Sequence, residues 1–274
     1  MLRLMKLNSV AITGLLVAAI RAEESTRPDR LFDDPYAAAL AGERGRVALA
    51  TYRSVAMPVP IIEVRTRFFD EGLERVAREG IRQIVILAAG MDARAHRLAW
   101  PGGTRVFELD QPDVLAHKGA VLDAATPACE RVAVPVDLAT DWTVPLRAAG
   151  LDPAVPTAWL VEGLLQYLPA ATVGALFERI ERLSARGSVV LHDCIAQSLL
   201  DAPPMAPMLA MMRDLGAPWV FGTDDPASLL SRAWAVTPTD PGELGRRVGR
   251  WPFPAAPAGT RVPPSGFFVE ARKG

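Results

Sequence analysis

Carboxylates close three successive apolar runs in the middle of this chain: Glu108 and Asp110 in VFELD, Asp137 after VAVPV, and Glu162 after AWLV. An ionised carboxylate at such a place accepts hydrogen bonds from hydroxyl or amino groups and donates none. Taken singly, each reads equally well as a helix cap or a surface charge. As a set at successive strand ends they line one crevice and suit a ligand rich in hydroxyl and amino donors, such as a ribose. Clustered carboxylates repel a polyphosphate. Ahead of them the run Ile84 to Leu87 stops at the small-residue turn Ala88-Ala89-Gly90, where a minimal side chain lets backbone approach a ligand. Only Gly90 is glycine; Ala88 stands where a G-x-G pattern has its first. No G-x-x-x-x-G-K-S/T loop occurs, which argues against NTP hydrolysis.

Arg65 and Arg67 lie in VRTRFFD (64–70), ahead of the first strand. A guanidinium directed at the crevice would clamp a carboxylate with two hydrogen bonds; one directed outward is an ordinary solvated charge. His96 and His192 are candidate acid/base groups, and His192-Asp193 ends a strand. Three histidines and two cysteines, none in ligand spacing, leave no zinc pattern, and no G-x-S-x-G elbow supports a hydrolase triad.

Strands are expected at 82–88, 104–109, 132–136, 157–162 and 187–193, alternating with helices. The clearest helix is 170–185, where Val173, Leu176, Phe177, Ile180 and Leu183 form one apolar stripe behind Pro169. Such alternation implies parallel strands with right-handed crossovers. Residues 1–80 read as helices, with Ile61, Val64, Phe68 and Val76 near helical spacing and Gly80 as a stop. Residues 203–264 hold 12 of the 24 prolines, which favours loops and short helices there. Two further strands are expected at Trp234 to Val236 and Gly266 to Ala271, pairing at one sheet edge. The expected fold is α/β, a Rossmann-like doubly wound sheet in one domain over 1–274. In it a helical N-terminal lid (1–80) and the 197–230 segment cover the ligand edge of an 81–195 core.

A chain of 274 residues, half of them hydrophobic, has ample material for that core. Its formal net charge of −1 supplies no global attraction to nucleic acid or to an anionic membrane. Cys129 and Cys194 read as buried thiols of a cytoplasmic protein. Met1 to Ala22 has the composition of a secretory signal, but is too short to span a bilayer. The preferred reading is a helix capped by Asn8 or Ser9.

Read in order, RPDRLFDDPYAAALAG (27–42), VRTRFFD (64–70), VILAAGMDARAHRL (85–98), FELDQPDVLAHK (107–118), VPVDL (134–138) and VEGLLQYL (161–168) resemble the leucine carboxyl methyltransferase-like family. More closely, they resemble its bacterial, actinomycete-type branch of S-adenosylmethionine-dependent methyltransferases. The resemblance spans about residues 8–195, with an echo in the last strand, and implies a sheet of about seven strands, the last antiparallel.

Carried over by position, it implies a cofactor-binding set. Arg65 would hold the methionine carboxylate, Ala88, Ala89 and Gly90 pack against the amino acid part, and Asp110, with Glu108 beside it, bind the ribose. Asp137 and Leu138 would flank the adenine, Glu162 lie near the cofactor's amino group or the substrate, and Arg21 correspond to a basic lid residue. Ala88 in place of glycine, Ala93 in place of Thr or Ser and His96 in place of an aromatic are departures that remove no charged contact. The implied reaction is methyl transfer from S-adenosyl-L-methionine, leaving S-adenosyl-L-homocysteine, to a small-molecule carboxylate or hydroxyl. Tyr167, His192 or Glu162 would act as base where one is needed. Competing readings are a nicotinamide-dependent oxidoreductase, a cofactor-binding protein without transfer, and methylation of a protein C-terminal carboxylate.

Overall fold

The computed structural model of the protein describes residues 9–55, 59–255 and 265–274. Three helices come first: α1 (Ser9–Ser25), α2 (Ala37–Val55) and α3 (Ile61–Arg78). The alternating part follows as β1 (Gln83–Leu87), α4 (Arg94–Arg97), β2 (Arg105–Asp110), α5 (Pro112–Val121), β3 (Glu130–Pro135), α6 (Thr143–Ala148), β4 (Thr157–Val161), α7 (Ala170–Arg182) and β5 (Val189–Ile195). Short helices α8 (Gln197–Leu200) and α9 (Ala206–Asp214) precede β6 (Trp234–Thr239), α10 (Pro241–Arg247) and β7 (Gly266–Lys273).

The seven strands form one sheet in the order β3-β2-β1-β4-β5-β7-β6. Strands β1 to β5 pair in parallel, and β7 runs antiparallel to both β5 and β6. Burial explains the central strands: β1 and β4 are buried at every position, as apolar runs covered by helices on both faces must be. On one face the apolar stripe of α7, with Val173, Leu176, Phe177 and Ile180 buried, packs in a cluster with Val85, Trp159 and Val190. On the other, Phe69, Leu73 and Val76 of α3 pack with Ile84, Ile86 and Leu191.

The N-terminal segment is part of this packing. Leu15, Leu16, Ala18, Ala19 and Ile20 of α1 are buried with Leu40, Ala41 and Leu49 of α2, and with Met91 and Ala93 from the loop after β1. The helix pair comes close because Gly45 has no side chain: a Cβ there would stand 2.5 Å from the Leu15 carbonyl oxygen. The helix expected near the N-terminus is therefore present from Ser9; Asn8 lies outside the described residues. Among the described residues no helix is long and apolar enough to cross a membrane.

Register decides what the sheet presents at its carboxyl edge. Leu87 stands opposite Leu109 and Val161, and Val161 opposite His192. The next residues along four adjacent strands, Ala88, Asp110, Glu162 and Asp193, thus stand in one row.

Candidate functional site

That row forms the floor of a cavity of about 400 Å³, within the range of roughly 300–1,000 Å³ common for small-molecule sites. Helix α1 contributes Thr13, Leu16 and Arg21 to its wall, and α3 contributes Arg65. Of the cofactor residues expected from the sequence, Arg21, Arg65, Ala88, Ala89, Gly90, Asp110, Asp137, Leu138 and Glu162 all line it, as does Tyr167.

The loop after β1 is held by its neighbour. Ala89 N–H donates to the Leu109 carbonyl (3.0 Å) and Gly90 N–H to Asp110 Oδ2 (2.7 Å), while Gln111 N–H reaches Asp110 Oδ1 (2.7 Å). Two of the roughly four lone-pair positions of Asp110 are thereby used, leaving others for hydroxyl donors. Burial pushes the Asp110 carboxyl above its ordinary pKa, partly countered by those two amides. Ala88 has φ +54°, making it the one non-glycine residue in the left-handed region among the described residues. The backbone wants a glycine there, as the missing first glycine of the sequence pattern suggested, and holds alanine in strain.

At the other end of the row lies a buried ionic cluster. Arg65 Nε donates to Glu162 Oε1 (3.0 Å) and its Nη1 to Asp193 Oδ2 (3.1 Å), while Gly163 N–H donates to Asp193 Oδ1 (2.6 Å). Arg94, 1% exposed, donates to Glu162 Oε2 (2.7 Å), to Asp70 Oδ1 (2.6 Å) and to Asp92. Asp70 in turn takes both terminal nitrogens of Arg97 (2.7 Å each), and Asp34 pairs with Arg21 Nε (3.0 Å) and Arg97 Nε (3.7 Å). The chain of charges runs from the lid helix to β5. Burial raises the Glu162 carboxyl, but Arg94 and Arg65 outweigh it and hold the carboxyl below its ordinary range. Asp92 is held down to about 2, where Arg94, Lys118 and Arg21 overcome its burial.

Two expected residues fall off the cavity. Glu108 lies two positions below the end of β2, roughly 7 Å down the strand, and is fully buried. Lys118 Nζ (2.9 Å) and Arg131 Nε (2.8 Å) close over its carboxylate, so it braces the sheet edge and is corrected out of the cofactor set. His192 is also fully buried, packed edge-on against Phe177 at 5.2 Å, and burial pushes its pKa down to about 4. It has no access to an acceptor and is corrected out of the catalytic candidates. Strand alternation puts its neighbour Asp193 on the cavity instead. The strand-end rule that picked Asp110 and Glu162 identifies Asp193 when applied to β5, whereas Arg94, Asp70 and Asp34 carry no signal in spacing. His96, 8% exposed beside Tyr36, and Arg67, paired with Glu71, are not on the cavity either.

Residues 14–181 match the leucine carboxyl methyltransferase family. A protein of Parafrankia sp. (strain EAN1pec), named as an S-adenosyl-L-methionine-dependent methyltransferase, is 42% identical, with 96% of this chain and 87% of that protein covered. The chain belongs to the leucine carboxyl methyltransferase family. A Mycobacterium marinum member named in the same way is 38% identical, covering 97% of this chain and 96% of its own. A crystal structure of a DUF574 family protein from Streptomyces avermitilis superposes with a TM-score of 0.66 at 17% identity, covering 96% and 97% of the two chains, and shares the fold. As a leucine carboxyl methyltransferase family member this chain is an S-adenosyl-L-methionine-dependent methyltransferase, which sets the nicotinamide-dependent reading aside.

The cavity's donor set fits that cofactor. Asp110 offers free lone pairs to ribose hydroxyls, and the exposed Asp137 stands beside it on the same cavity wall. Val114, Val136, Leu138 and Leu164 give an apolar slot for a base. Arg65 keeps Nη2 for a carboxylate beyond its two acid partners, and Glu162 and Asp193 stand next to it for an ammonium.

Proposed function

We propose that this chain transfers the methyl group of S-adenosyl-L-methionine to an oxygen of a small-molecule acceptor by in-line SN2 displacement. The observation that carries this reading is the single row of Ala88, Asp110, Glu162 and Asp193 on a cavity closed by α1. In it Arg65 holds the methionine carboxylate, Glu162 with Asp193 faces the ammonium, Asp110 takes the ribose hydroxyls, and Leu138 beside Asp137 covers the adenine.

The cofactor supplies a methyl group already activated as a sulfonium. The chain's own task is to position and to exclude water. Holding two reactants in attack geometry is worth roughly 7–11 kcal/mol. Arg94 keeps the Glu162 carboxylate ionised and fixed, and Arg21 with Asp34 fastens the lid helix to that same ionic chain. Tyr167, on the turn after β4, lines the cavity as the residue placed to contact the acceptor. In this reading 1–80 acts as a lid and 197–230 as an acceptor cap of one domain.

Calorimetric titration with S-adenosyl-L-methionine tests the reading. Arg65→Ala should weaken binding tenfold or more, since a hydrogen bond to a charged group is worth roughly 1.5–3 kcal/mol. Arg65→Lys, which keeps charge but loses the planar fork, should fall between the two. Absence of binding to the intact chain, or equal binding by Arg65→Ala, would overturn it.

A further inference from the structure

The cavity has two chemically distinct walls. Around the strand ends, five carboxylates line it, those of Asp92, Asp110, Asp137, Glu162 and Asp193. Against them stand two lining guanidiniums, Arg21 and Arg65, both already paired with acids. Among the described residues no other lysine, arginine or histidine lines the cavity, so the wall carries an excess of three negative charges. The ionic groups behind it nearly cancel, with Arg94, Arg97, Lys118 and Arg131 against Asp34, Asp70 and Glu108.

The second wall is uncharged. It is made by Tyr52 from α2, Ile62 from α3, Tyr167 and Leu168 from the turn after β4, Met212 from α9, and Trp219. These pieces are joined: Tyr52 and Trp219 pack on the Met208, Met211 and Met212 cluster, and Val220 N–H donates to the Gln166 carbonyl (2.7 Å). Flexible methionines between aromatic rings accommodate flat apolar ligands of varied outline. The polar atoms on this side are neutral. Trp219 Nε1, a donor, and Gln166 Oε1, an acceptor, are buried without a hydrogen-bond partner, and Gln166 itself is 6% exposed.

Resting on the methyltransferase reading above, we infer that the acceptor is an uncharged aromatic alcohol or phenol, methylated to an ether, and that a carboxylate is excluded. A carboxylate on the second wall would lose its hydration, find no unpaired side-chain cation among the described residues, and face five fixed acids across the cavity. A neutral hydroxyl escapes the charge costs and loses less on leaving water. It can accept from an indole N–H and donate to an amide oxygen at the same time, which a carboxylate cannot. In the transfer a lone pair of the hydroxyl oxygen forms the new O–C bond. The C–S bond breaks with its pair returning to sulfur, and the hydroxyl proton passes to water. An amine that arrives as an ammonium has no lone pair for the attack until it loses a proton, which places amines behind hydroxyls.

Three probes with one ring system test this: 2-naphthol, 2-naphthoate and naphthylmethylamine, each titrated calorimetrically into the full chain saturated with S-adenosyl-L-homocysteine. At neutral pH they present a neutral, an anionic and a cationic group. The naphthol should bind at least tenfold more tightly than the naphthoate and, with S-adenosyl-L-methionine, give the methyl ether with no methyl ester from the acid. Trp219→Phe should weaken naphthol binding. Ile62→Lys, which sets an ammonium on the uncharged wall, should move the preference toward the naphthoate by tenfold or more. Equal or tighter binding of the naphthoate, ester formation, preferential N-methylation of the amine, or no binding of the naphthol would each overturn the inference. Failure of S-adenosyl-L-homocysteine itself to bind would instead fail the methyltransferase reading and take this inference with it.

Discussion

Replacing Ala88 with glycine should make the protein more stable, although it removes a methyl group next to the cavity. The backbone at this position has φ +54°. For an L-residue with a Cβ that conformation costs roughly 1–2 kcal/mol. Glycine removes the cost but loses more freedom on folding, by roughly 0.5–1 kcal/mol. The balance favours glycine by up to about 1.5 kcal/mol, which corresponds to a rise in Tm of up to about 6 °C for a chain of this size. The loop should keep its place, because Ala89 N–H and Gly90 N–H tie it to the Leu109 carbonyl and the Asp110 carboxylate of β2. Ala88→Val supplies the opposite arm: a β-branched side chain in the left-handed region is strained further, and should cost about 1 kcal/mol or more. Thermal unfolding of the three proteins, with urea titration as a second probe, measures both changes. A lower Tm for Ala88→Gly, or an unchanged one for Ala88→Val, would refute the claim that strain is stored at this turn. A further consequence concerns binding: Ala88 lines the cavity, so the glycine variant should hold S-adenosyl-L-methionine at least as tightly as the parent.

Arg94→Met should destabilise the chain by about 3–5 kcal/mol, because it strands Asp70, Asp92 and Glu162 as buried charges around one lost partner; a loss below about 1 kcal/mol in urea unfolding would sink that assignment. His192 has its pKa pushed down from 6.5 to about 4 by burial, so on acidification the unfolded chain takes up this proton first. Its contribution is full above pH 6.5 and is lost between 6.5 and 4, up to roughly 3 kcal/mol, and His192→Leu should flatten that limb of the stability curve. Glu63 works in the other direction: burial raises its carboxyl to about 7, so its contribution is present below 4.5 and is lost as pH rises through 7. Glu63→Gln should therefore gain stability over the parent above pH 7, and no gain there would show that the carboxyl ionises without hindrance.

How much of this was legible in the sequence depends on where each residue sits along its strand. Residues at a strand end or one step past it could be read, because apolar runs mark the strands and parallel register lines their ends up: Ala88, Asp110 and Glu162 stand in that row. The same reasoning misplaced Glu108 because a two-residue step along β2 keeps the side of the sheet but changes depth, from the cavity edge into the grip of Lys118 and Arg131. It chose His192 over Asp193 because a histidine is chemically conspicuous, whereas alternation along β5 decides which of two neighbours faces the ligand. The pairings within the ionic chain were not legible, although Arg21, Arg65 and Glu162 were singled out individually. Its links join residues as far apart as Arg65 and Asp193, and nothing in the spacing of Asp34, Asp70 or Arg94 distinguishes them from surface charges. The uncharged wall was hidden for a related reason. It is assembled from the end of α2, the start of α3, the turn after β4 and the proline-rich segment around α9, none of which repeats with a period. The proposed cofactor half is thus readable at the strand ends, where apolar runs and parallel register bring Ala88, Asp110 and Glu162 together. The proposed acceptor half depends on the charge and shape of pieces that meet only after folding, which is why no motif along the chain marks it.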